Sequence, residues 1–342
     1  MSKQTGFGVL GPGRIATLTT RGPLAHLSGV RRVAVGSRDA ERAAEFARTW
    51  GFERSYGSYA ALAADPEVEV VYISTPHPWH MEHAILCLEA GKHVLCEKPM
   101  AMNARQAEAM IACARANGRY LAEATFTWWT PMLRRVLAWI REGRIGEVRM
   151  LWASSGGRNR LNPADRLFDR ALGGGALLDI GVYAVSLAHQ VLGTPESVQA
   201  AGAIGETGVD EQEAMLLRYP GGAVAQLSSA IRTPQRNDAV IQGTEGRITI
   251  LPAWWGGPRT AVLTVGTEEE RYTDTASDWL YEAPFGDQEK SWMIAGVMED
   301  LAEGRLESAA MPLEMTVSIA RTMDAVREAI GMRYAADGPV PG

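Results

Sequence analysis

The first third of the chain alternates between short, continuous apolar segments and longer segments with helical periodicity. Continuous apolar strands are typical of a parallel sheet that is covered on both faces. Five such strands can be placed, at residues 7–10, 32–35, 68–74, 94–96 and 120–123. The segments between them carry apolar residues at helical spacing. Two of these predicted helices are closed by glycines, Gly91 and Gly118. The alternation predicts an α/β fold, with a Rossmann-type dinucleotide-binding domain in residues 1–123.

The pattern changes after residue 123, where strands are joined by short turns. Strands are predicted at residues 148–155, 198–203, 213–218, 223–229, 238–243, 247–251 and 261–265. Helices are predicted at residues 133–142, 173–192, 288–303 and 313–330. Together they predict an α+β domain with a large, mostly antiparallel open sheet in residues 124–334. Residues 335–342 are rich in Gly and Pro and are predicted to form a loose tail.

The composition is that of an ordinary globular protein, and it narrows the class of partner. A length of 342 residues suits two domains better than one. Hydrophobic residues make up 46%, charged residues 22%, and the net charge is −6. Because no block of Lys or Arg stands out, we expect neither nucleic acid nor a membrane as a partner.

Cysteine usage and the N-terminus favour a cytoplasmic location. The three cysteines lie inside predicted strands and helices, which favours reduced, packed thiols. None has a second Cys or His at metal-ligand spacing, so no metal site is expected. No signal peptide is visible. Asp, Gly or Lys interrupts the apolar stretches well before the roughly 20 residues that a membrane span needs.

A glycine-rich turn directly follows the first predicted strand. Gly11-Pro-Gly-Arg-Ile-Ala16 is the dinucleotide fingerprint with Ala at its last position, between a strand and a helix. Gly11 permits the tight turn, and Gly13 lets the backbone approach a pyrophosphate at the helix N-terminus. An ordinary glycine turn is the alternative interpretation.

The end of the second predicted strand bears on the choice of cofactor. NAD enzymes usually carry an acid there, which binds the ribose 2′-hydroxyl. Here Ser37 and Arg38 stand instead, and a hydroxyl and a guanidinium would bind a 2′-phosphate. We therefore predict NADP(H) rather than NAD(H). Two alternatives stay open: Asp39 could reach the ribose, and Arg38 could merely cap the loop.

A charged pair ends the strand at residues 94–96. His93-Val-Leu-Cys-Glu-Lys-Pro-Met100 places Glu97 and Lys98 beyond the carboxyl end of that strand, where open α/β sheets bind ligands. Lys98 is either a cation aimed into a cleft or an exposed loop charge. Glu97 either braces the loop or faces solvent. The bond between Lys98 and Pro99 is a candidate for the cis form.

Two residues of the second domain could act together with Lys98. Asp179 and Tyr183 lie four residues apart on the helix that follows Gly173-Gly-Gly, so they share one face. An unperturbed Tyr has a pKa of about 10, and a nearby Lys cation would lower it. A Lys–Tyr pair therefore suits the interconversion of alcohols and carbonyls. Alternatively, Asp179 only stabilises the helix dipole and Tyr183 belongs to the core.

Other aromatic and histidine residues could shape either the site or the core. Thr75-Pro-His-Pro-Trp-His80 is a loop, because its prolines forbid regular structure. Its Trp79 and His80 either bind a ligand or only shape the loop. Trp128 is a candidate for stacking on a sugar ring, or it belongs to the core or a subunit interface. His189 is expected to be packed in its helix rather than catalytic.

Four motifs resemble those of the glucose–fructose oxidoreductase/inositol dehydrogenase (Gfo/Idh/MocA) family, and the resemblance covers nearly the whole chain. They are Gly11-x-Gly13-x-x-Ala16, Ser74-Thr-Pro-His-Pro-Trp-His80, Gly91-Lys-His-Val-Leu-Cys-Glu-Lys-Pro99 and Gly173-Gly-Gly-Ala-Leu-Leu-Asp-Ile-Gly-Val-Tyr183. The last motif resembles the branch that contains dimeric dihydrodiol dehydrogenase and NADP-dependent xylose dehydrogenase. The inositol dehydrogenase branch usually carries His where Tyr183 stands.

The resemblance implies a role for each matching position. Lys98 would be the catalytic lysine, Tyr183 the general acid/base and Asp179 a substrate-site residue. A homodimer through the open sheet of the second domain is also implied. Residues expected to bind the cofactor are Gly11, Gly13, Arg14, Ile15, Ser37, Arg38, Thr75, Pro76, His80, Glu97 and Lys98. Residues expected near the substrate are Trp79, Trp128 and Arg166.

We therefore expect an NADP(H)-dependent oxidoreductase that transfers hydride between nicotinamide and a hydroxyl- or carbonyl-bearing carbon of a sugar or cyclic polyol. A trans-dihydrodiol dehydrogenase or an anhydrosugar or dicarbonyl reductase is the alternative within the same site. Trp79, Trp128 and Trp129 would suit its less polar substrate. A regulatory protein that senses NADP(H) without turnover is the alternative from another class, and the presence of both Lys98 and Tyr183 argues against it.

Overall fold

The computed structural model of the chain describes residues 4–275, 288 and 290–338, which form two compact units. The first unit contains the described residues of Met1–Ala101, Arg105–Trp129 and Ala276–Thr316. The second contains those of Met102–Ala104, Thr130–Thr275 and Val317–Gly342. Residues 288 and 290–316, which lie in the second domain as predicted from the sequence, are thus grouped with the first unit.

Fourteen strands occur in the described part of the chain. Strands β1 to β6 are Thr5–Leu10, Val30–Gly36, Arg54–Tyr56, Val70–Ile73, His93–Cys96 and Leu121–Glu123. Strands β7 to β14 are Val148–Gly156, Ser197–Ile204, Asp210–Arg218, Val224–Ala230, Ala239–Gly243, Gly246–Ile250, Thr260–Val265 and Glu268–Thr273.

The first unit is built on a parallel sheet with the order β3-β2-β1-β4-β5-β6. All four residues of β4 are buried, as the continuous apolar pattern predicts. Strand β3 cannot be placed from the sequence, because its three residues are polar or only partly buried. The parallel arrangement brings the carboxyl ends of β1, β4, β5 and β6 to one edge of the sheet.

Nine α-helices occur within the residues described. Helices α1 to α9 are Arg14–Thr19, Ala40–Trp50, Tyr59–Ala63, His80–Glu89, Ala104–Ala116, Pro131–Arg141, Val182–Leu192, Ser291–Ala302 and Leu313–Ile330. Two π-helical segments interrupt the α-helical pattern. Thr20–Leu24 continues α1, and Leu177–Gly181 precedes α7.

The second unit is built on an eight-stranded sheet with the order β14-β13-β12-β11-β7-β10-β9-β8. Its neighbouring strands are antiparallel except for β10 and β7. Helix α7 packs against β7 and β10. Residues on the other face are more exposed, including Met150 at 39% and Leu216 at 42%. Strand β14 escapes sequence analysis because Glu268–Thr273 is a largely charged edge strand.

The helical stretch Arg170–Leu192 is more apolar than the sequence analysis expects. Its 23 residues are long and apolar enough to cross a membrane, and 83% of its apolar part is buried inside the protein. The core helix of a globular domain has the same properties, since it is apolar on every face. Burial in the second unit therefore explains the composition of this stretch.

The first half of the predicted loose tail is held in place. Ala335–Asp337 forms a 3₁₀ turn, and Asp337 accepts a hydrogen bond from Arg327 at 2.5 Å. Asn103 donates its side-chain amide to the carbonyl oxygen of Ala336 at 3.1 Å. Residues 339–342 lie outside the described part of the chain.

Candidate active site

The glycine turn after β1 is fixed by its neighbours in the first unit. Gly11 has a φ of +90°, and a Cβ there would lie 2.7 Å from Cγ2 of Thr75. The Ser74 hydroxyl donates to the carbonyl oxygen of Gly11 at 2.9 Å, and Nε of Arg42 donates to that of Pro12 at 3.0 Å. Only glycine adopts this conformation at such close approach without strain. The backbone of the turn is therefore held in one shape.

The N-terminus of α1 has room for a diphosphate. Gly13 is the N-cap residue, and no side chain caps this end of the helix. A Cβ on Gly13 would meet only the carbonyl oxygen of Gly11, 3.9 Å away. The helix begins with the exposed Arg14 and the half-buried Ile15. Since the first N–H groups of a helix attract anions, this backbone fits the phosphates of a dinucleotide.

The end of β2 presents a cation rather than a carboxylate. Asp39 caps α2, because its side chain accepts the N–H of Arg42 at 3.0 Å. Ser37 is buried, and its hydroxyl oxygen accepts the N–H of Asp39 at 3.1 Å. Arg38 is exposed, and its guanidinium lies 5.8 Å from the ring centroid of Trp79. The alternative role of Asp39 as a ribose ligand thus competes with its role as a helix cap.

The loop after β4 is held by histidines whose ring nitrogens face backbone or hydroxyl oxygens. Nε2 of His80 lies 2.7 Å from the carbonyl oxygen of Thr75, and Nδ1 lies 2.9 Å from that of Pro99. Burial lowers the pKa of His80, and the two carbonyl oxygens oppose that shift. The Thr75 hydroxyl lies 3.0 Å from Nδ1 of His83, whose pKa burial lowers to about 4. His80 therefore ties the loop before α4, including Pro76, to the turn after β5.

The turn after β5 contains a buried carboxylate. Glu97 is 5% exposed, and one of its oxygens contacts both the Tyr72 hydroxyl and the Lys290 ammonium. The other oxygen accepts the backbone N–H of Lys98 at 3.2 Å. Of the two interpretations of Glu97, the structure supports the one in which it braces the loop. The Lys98–Pro99 bond is cis, which confirms that prediction.

A second buried carboxyl group follows β6. Glu123 is 2% exposed and accepts the N–H of Met100 at 3.3 Å. Burial raises the pKa of Glu123 to about 7. Sequence analysis does not identify Glu123 as a site residue, because a glutamate at a strand end gives no sign of being buried. Near neutral pH this group is therefore partly protonated, at the same edge of the sheet as Lys98.

In the second unit, Asp179 lies on the π-helical segment and Tyr183 lies on the first turn of α7. Arg166 contacts Asp179 with 2.7 Å between its Nη2 and Oδ1. The Arg166 and Asp179 side chains keep 41% and 24% of their surface exposed. The π-helical geometry between Asp179 and Tyr183 differs from the regular α-helix that the spacing argument assumes. Segments of this kind occur frequently at functional sites.

An aromatic residue that sequence analysis does not identify lies beside Tyr183. The ring centroids of Tyr183 and Trp255 are 6.1 Å apart, with the planes inclined by 34°. Trp255 donates its indole N–H to Oδ1 of Asn237 at 2.8 Å. Asn237, with a φ of +58°, also donates to the carbonyl oxygen of Gly156 at 2.9 Å. Asn237 thus fixes an indole next to the tyrosine.

A buried acidic pair lies under the start of the π-helical segment. Asp210 accepts the N–H of Leu177 at 2.7 Å, and Glu213 accepts the hydroxyl of Ser229. Burial raises the pKa of Asp210 to about 6, and burial together with Asp210 raises the pKa of Glu213. Gly175 has a φ of +124°, and a Cβ there would lie 2.2 Å from Asp210. The glycine-rich segment before Asp179 is therefore shaped around this pair.

Several other candidates are packed in the protein. Trp128 is only 7% exposed, as a core residue would be. Its contact with substrate stays a prediction. His189 is buried, with Nδ1 2.9 Å from the carbonyl oxygen of Val185 and Nε2 3.2 Å from the hydroxyl of Thr322, which confirms its packing role. The three cysteines are free. Among the described residues, no cluster of three or more His, Cys, Asp or Glu could hold a metal ion.

Comparison with known proteins identifies the family. Residues 5–125 match the oxidoreductase family with an NAD-binding Rossmann fold, and residues 133–249 match the GFO/IDH/MocA C-terminal domain. A trans-1,2-dihydrobenzene-1,2-diol dehydrogenase of Bos taurus is 35% identical over 334 residues, which are 97% of this chain and 98% of the relative. The chain belongs to the Gfo/Idh/MocA oxidoreductase family.

Two further relatives of this Gfo/Idh/MocA protein bear on its activity. A Homo sapiens trans-1,2-dihydrobenzene-1,2-diol dehydrogenase is 37% identical over 307 residues, covering 89% of this chain and 90% of the relative. The solved structure of a 3-ketoreductase from Actinomadura kijaniata, in complex with NADP and TDP-benzene, is 29% identical with a TM-score of 0.84. It covers 96% of this chain and 98% of its own. The predicted family, fold class and oxidoreductase activity are confirmed.

Proposed function

We propose that this Gfo/Idh/MocA protein is an NADP(H)-dependent dehydrogenase or reductase that acts on a ring bearing adjacent hydroxyl or carbonyl groups. The observation that carries the proposal is the Glu97–Lys98–Pro99 turn, which is fixed at the sheet edge of the unit that also holds the Gly11–Gly13 turn. A nicotinamide cofactor supplies the hydride chemistry when it is bound. The protein then has to orient the substrate and move one proton.

We assign the proton to Tyr183. In alcohol oxidation, its phenolate accepts the hydroxyl proton of the substrate, and in carbonyl reduction its phenol returns that proton. In this proposal the positive charge of Lys98 favours the phenolate form of Tyr183, and its ammonium orients the reacting oxygen. Asp179, paired with Arg166 at 2.7 Å, accepts a hydrogen bond from a neighbouring hydroxyl of the substrate. These assignments follow from the chemistry of the side chains and from the resemblance of their motifs.

Three observations bear on the substrate class. The two mammalian relatives are named as dehydrogenases of an unsaturated vicinal ring diol, which supports the dihydrodiol alternative. The Trp255 indole beside Tyr183 offers an apolar face to a ring. The charged pair of Arg166 and Asp179 offers polar partners for hydroxyl groups, which also suits sugars and anhydrosugars. We therefore propose a ring diol, with sugars and cyclic polyols as the competing substrates.

We propose NADP(H) as the cofactor. The exposed cation Arg38 stands at the end of β2, held over Trp79, whereas the nearest carboxylate, Asp39, caps α2. A guanidinium beside the ribose favours a 2′-phosphate over a 2′-hydroxyl. The ketoreductase from Actinomadura kijaniata was solved with NADP, which supports the same choice. Ser37, Thr75 and Pro76 belong to the set of cofactor contacts that we propose. His80, which is fully buried with both ring nitrogens facing carbonyl oxygens, supports Thr75 and the turn after β5 instead.

The direct test of the reaction is an activity screen followed by two substitutions. The purified protein is assayed with NADP⁺ against pentoses, hexoses, anhydrosugars and aromatic trans-diols. On the best substrate, Lys98→Ala and Tyr183→Phe are each expected to lower kcat by about 100- to 10,000-fold, because each removes part of the acid/base unit. NADPH affinity should stay unchanged in Tyr183→Phe. Near-normal kcat in either variant contradicts the assignment, and NADPH binding without any activity would favour a sensing protein.

Cofactor choice is tested by binding titrations monitored by nicotinamide fluorescence. Arg38→Ala should weaken NADPH binding by roughly 10- to 100-fold, because a charge-assisted hydrogen bond to the 2′-phosphate is lost. NADH binding should be unaffected. Arg48→Ala, which removes an exposed cation from the last turn of α2, is the matched control and should change neither affinity. Tighter binding of NADH than of NADPH by the unsubstituted protein would refute the proposal.

We also propose a homodimer in which two copies meet through the open sheet of the second unit. Leu216 is directly paired with Gln226, and Gln226 with Trp152, so these three residues share one face. Met150 lies two residues before Trp152 on the same face, and both Met150 and Leu216 are exposed. An uncovered apolar sheet face of this kind is a typical subunit interface.

Sedimentation velocity tests the dimer. The protein should sediment as a dimer, and Leu216→Glu should shift it toward the monomer, because the substitution places a charge in the interface. Leu306→Glu is the matched control, since Leu306 is 48% exposed and lies in the first unit. A monomeric unsubstituted protein, or a dimer that withstands Leu216→Glu, would exclude this interface.

A further inference from the structure

Lys290 is a buried cation that the proposed reaction does not yet use. It immediately precedes α8 and is 8% exposed. Its ammonium contacts a carboxylate oxygen of Glu97 and donates to the Tyr72 hydroxyl at 3.1 Å. The ammonium also lies 5.6 Å from the ring centroid of Tyr72. The cation is thus held by residues of β4 and of the turn after β5.

Tyr72 connects this ion pair to the helix of the dinucleotide turn. Its hydroxyl donates to Glu97 and accepts the hydroxyl hydrogen of Thr19 at 2.9 Å. The Thr19 hydroxyl also lies 3.2 Å from the carbonyl oxygen of Ile15, one turn earlier in α1. A continuous buried network therefore runs from α1 through Tyr72 to Glu97.

Glu97 passes the constraint on to Lys98. The oxygen that does not face Lys290 accepts the backbone N–H of Lys98 at 3.2 Å. Burial raises the pKa of Glu97, but the Lys290 ammonium and the Tyr72 hydroxyl lower it more, so the carboxyl group stays ionised. A hydrogen bond to a carboxylate is stronger and shorter than one to a neutral carboxyl group. The charge on Lys290 therefore helps to keep the acceptor of the Lys98 N–H ionised.

We propose that Lys290 is a positioning residue for Lys98, acting through Glu97 and coupling Lys98 to the helix of the dinucleotide turn. The proposal rests on the proposed function, in which Lys98 is catalytic. The sequence gives no sign of this role, because Lys290 lies 193 positions after Glu97 in the chain.

A purely structural role for the ion pair is the competing explanation. Buried ion pairs often contribute little net stability, yet removing one partner is destabilising because the other charge is left unpaired. Loss of stability alone therefore does not show whether Lys290 positions Lys98. The readouts that decide are turnover at a temperature where the variants stay folded, and the dependence of turnover on pH.

The matched pair of variants is Lys290→Met and Lys92→Met. Lys92 is also 8% exposed in the first unit, and its ammonium donates to the carbonyl oxygen of Asp65 at 2.6 Å. It precedes β5 at the end opposite to Lys98. Lys290→Met should lower kcat by roughly 10- to 100-fold, since small displacements of a reacting group cost this much. Lys92→Met should lower the melting temperature and leave kcat unchanged.

The pH profile gives a second, independent readout. Without Lys290, burial raises the pKa of Glu97, so the carboxyl group becomes neutral at low pH and holds the Lys98 N–H less firmly. The ratio of kcat in Lys290→Met to kcat in the unsubstituted protein should therefore rise as pH rises. Lys290→Arg keeps the cation, and its ratio should be higher and independent of pH.

The outcomes separate this inference from the proposed function. Normal kcat in Lys98→Ala overturns the proposed function and this inference with it. An inactive Lys98→Ala together with normal kcat in Lys290→Met, or with a pH-independent ratio, overturns the inference alone. If Lys290→Met does not fold, Tyr72→Phe decides, since it removes the hydroxyl that joins Thr19 to Glu97 and accepts a hydrogen bond from Lys290. Reduced kcat in Tyr72→Phe with unchanged NADPH affinity supports the network, and normal kcat overturns it.

Discussion

The burial of a carboxylate directly before Lys98 is the constraint on which the turn after β5 depends. Taking Glu97 out of water costs several kcal/mol unless partners compensate for it. Lys290 supplies the opposite charge, Tyr72 supplies a hydroxyl, and the Lys98 backbone supplies an N–H. Because each partner comes from a different element, satisfying one buried charge fixes the positions of β4, the turn after β5 and the start of α8 relative to one another.

The second unit also buries carboxyl groups, but there protonation rather than a neighbouring cation reduces their charge. Burial raises the pKa values of Asp210 and Glu213, so this pair carries less charge near neutral pH than two exposed acids would. Asp210 holds the N–H of Leu177, and Gly175 leaves room for it. The segment that carries Asp179 is thus supported by a buried polar pair, as Lys98 is in the first unit. Rigid support of this kind suits residues that must meet a substrate in one geometry.

The sequence pattern predicts those turns, strands and helices whose formation depends on neighbouring residues in the chain. The strand, glycine turn and helix at Gly11 are readable because tight turns and continuous apolar strands have short sequence signals. Strand β14 and the π-helical segment lack such a signal, since one is a charged edge strand and the other departs from helical spacing. Lys290 and Asp210 are beyond sequence reasoning for another reason. Their roles arise from pairings between residues far apart in the chain, and a single Lys or Asp looks like an ordinary surface charge.

The central claim is that Lys98 of the first unit and Tyr183 of the second serve a single proton-transfer step. A double-mutant cycle with Lys98→Met, Tyr183→Phe and the combined variant measures this directly, because residues that act as one unit lose activity non-additively. The claim predicts that the double variant has about the kcat of the slower single variant. Losses that multiply in the double variant would show that the two residues act independently, and would contradict it.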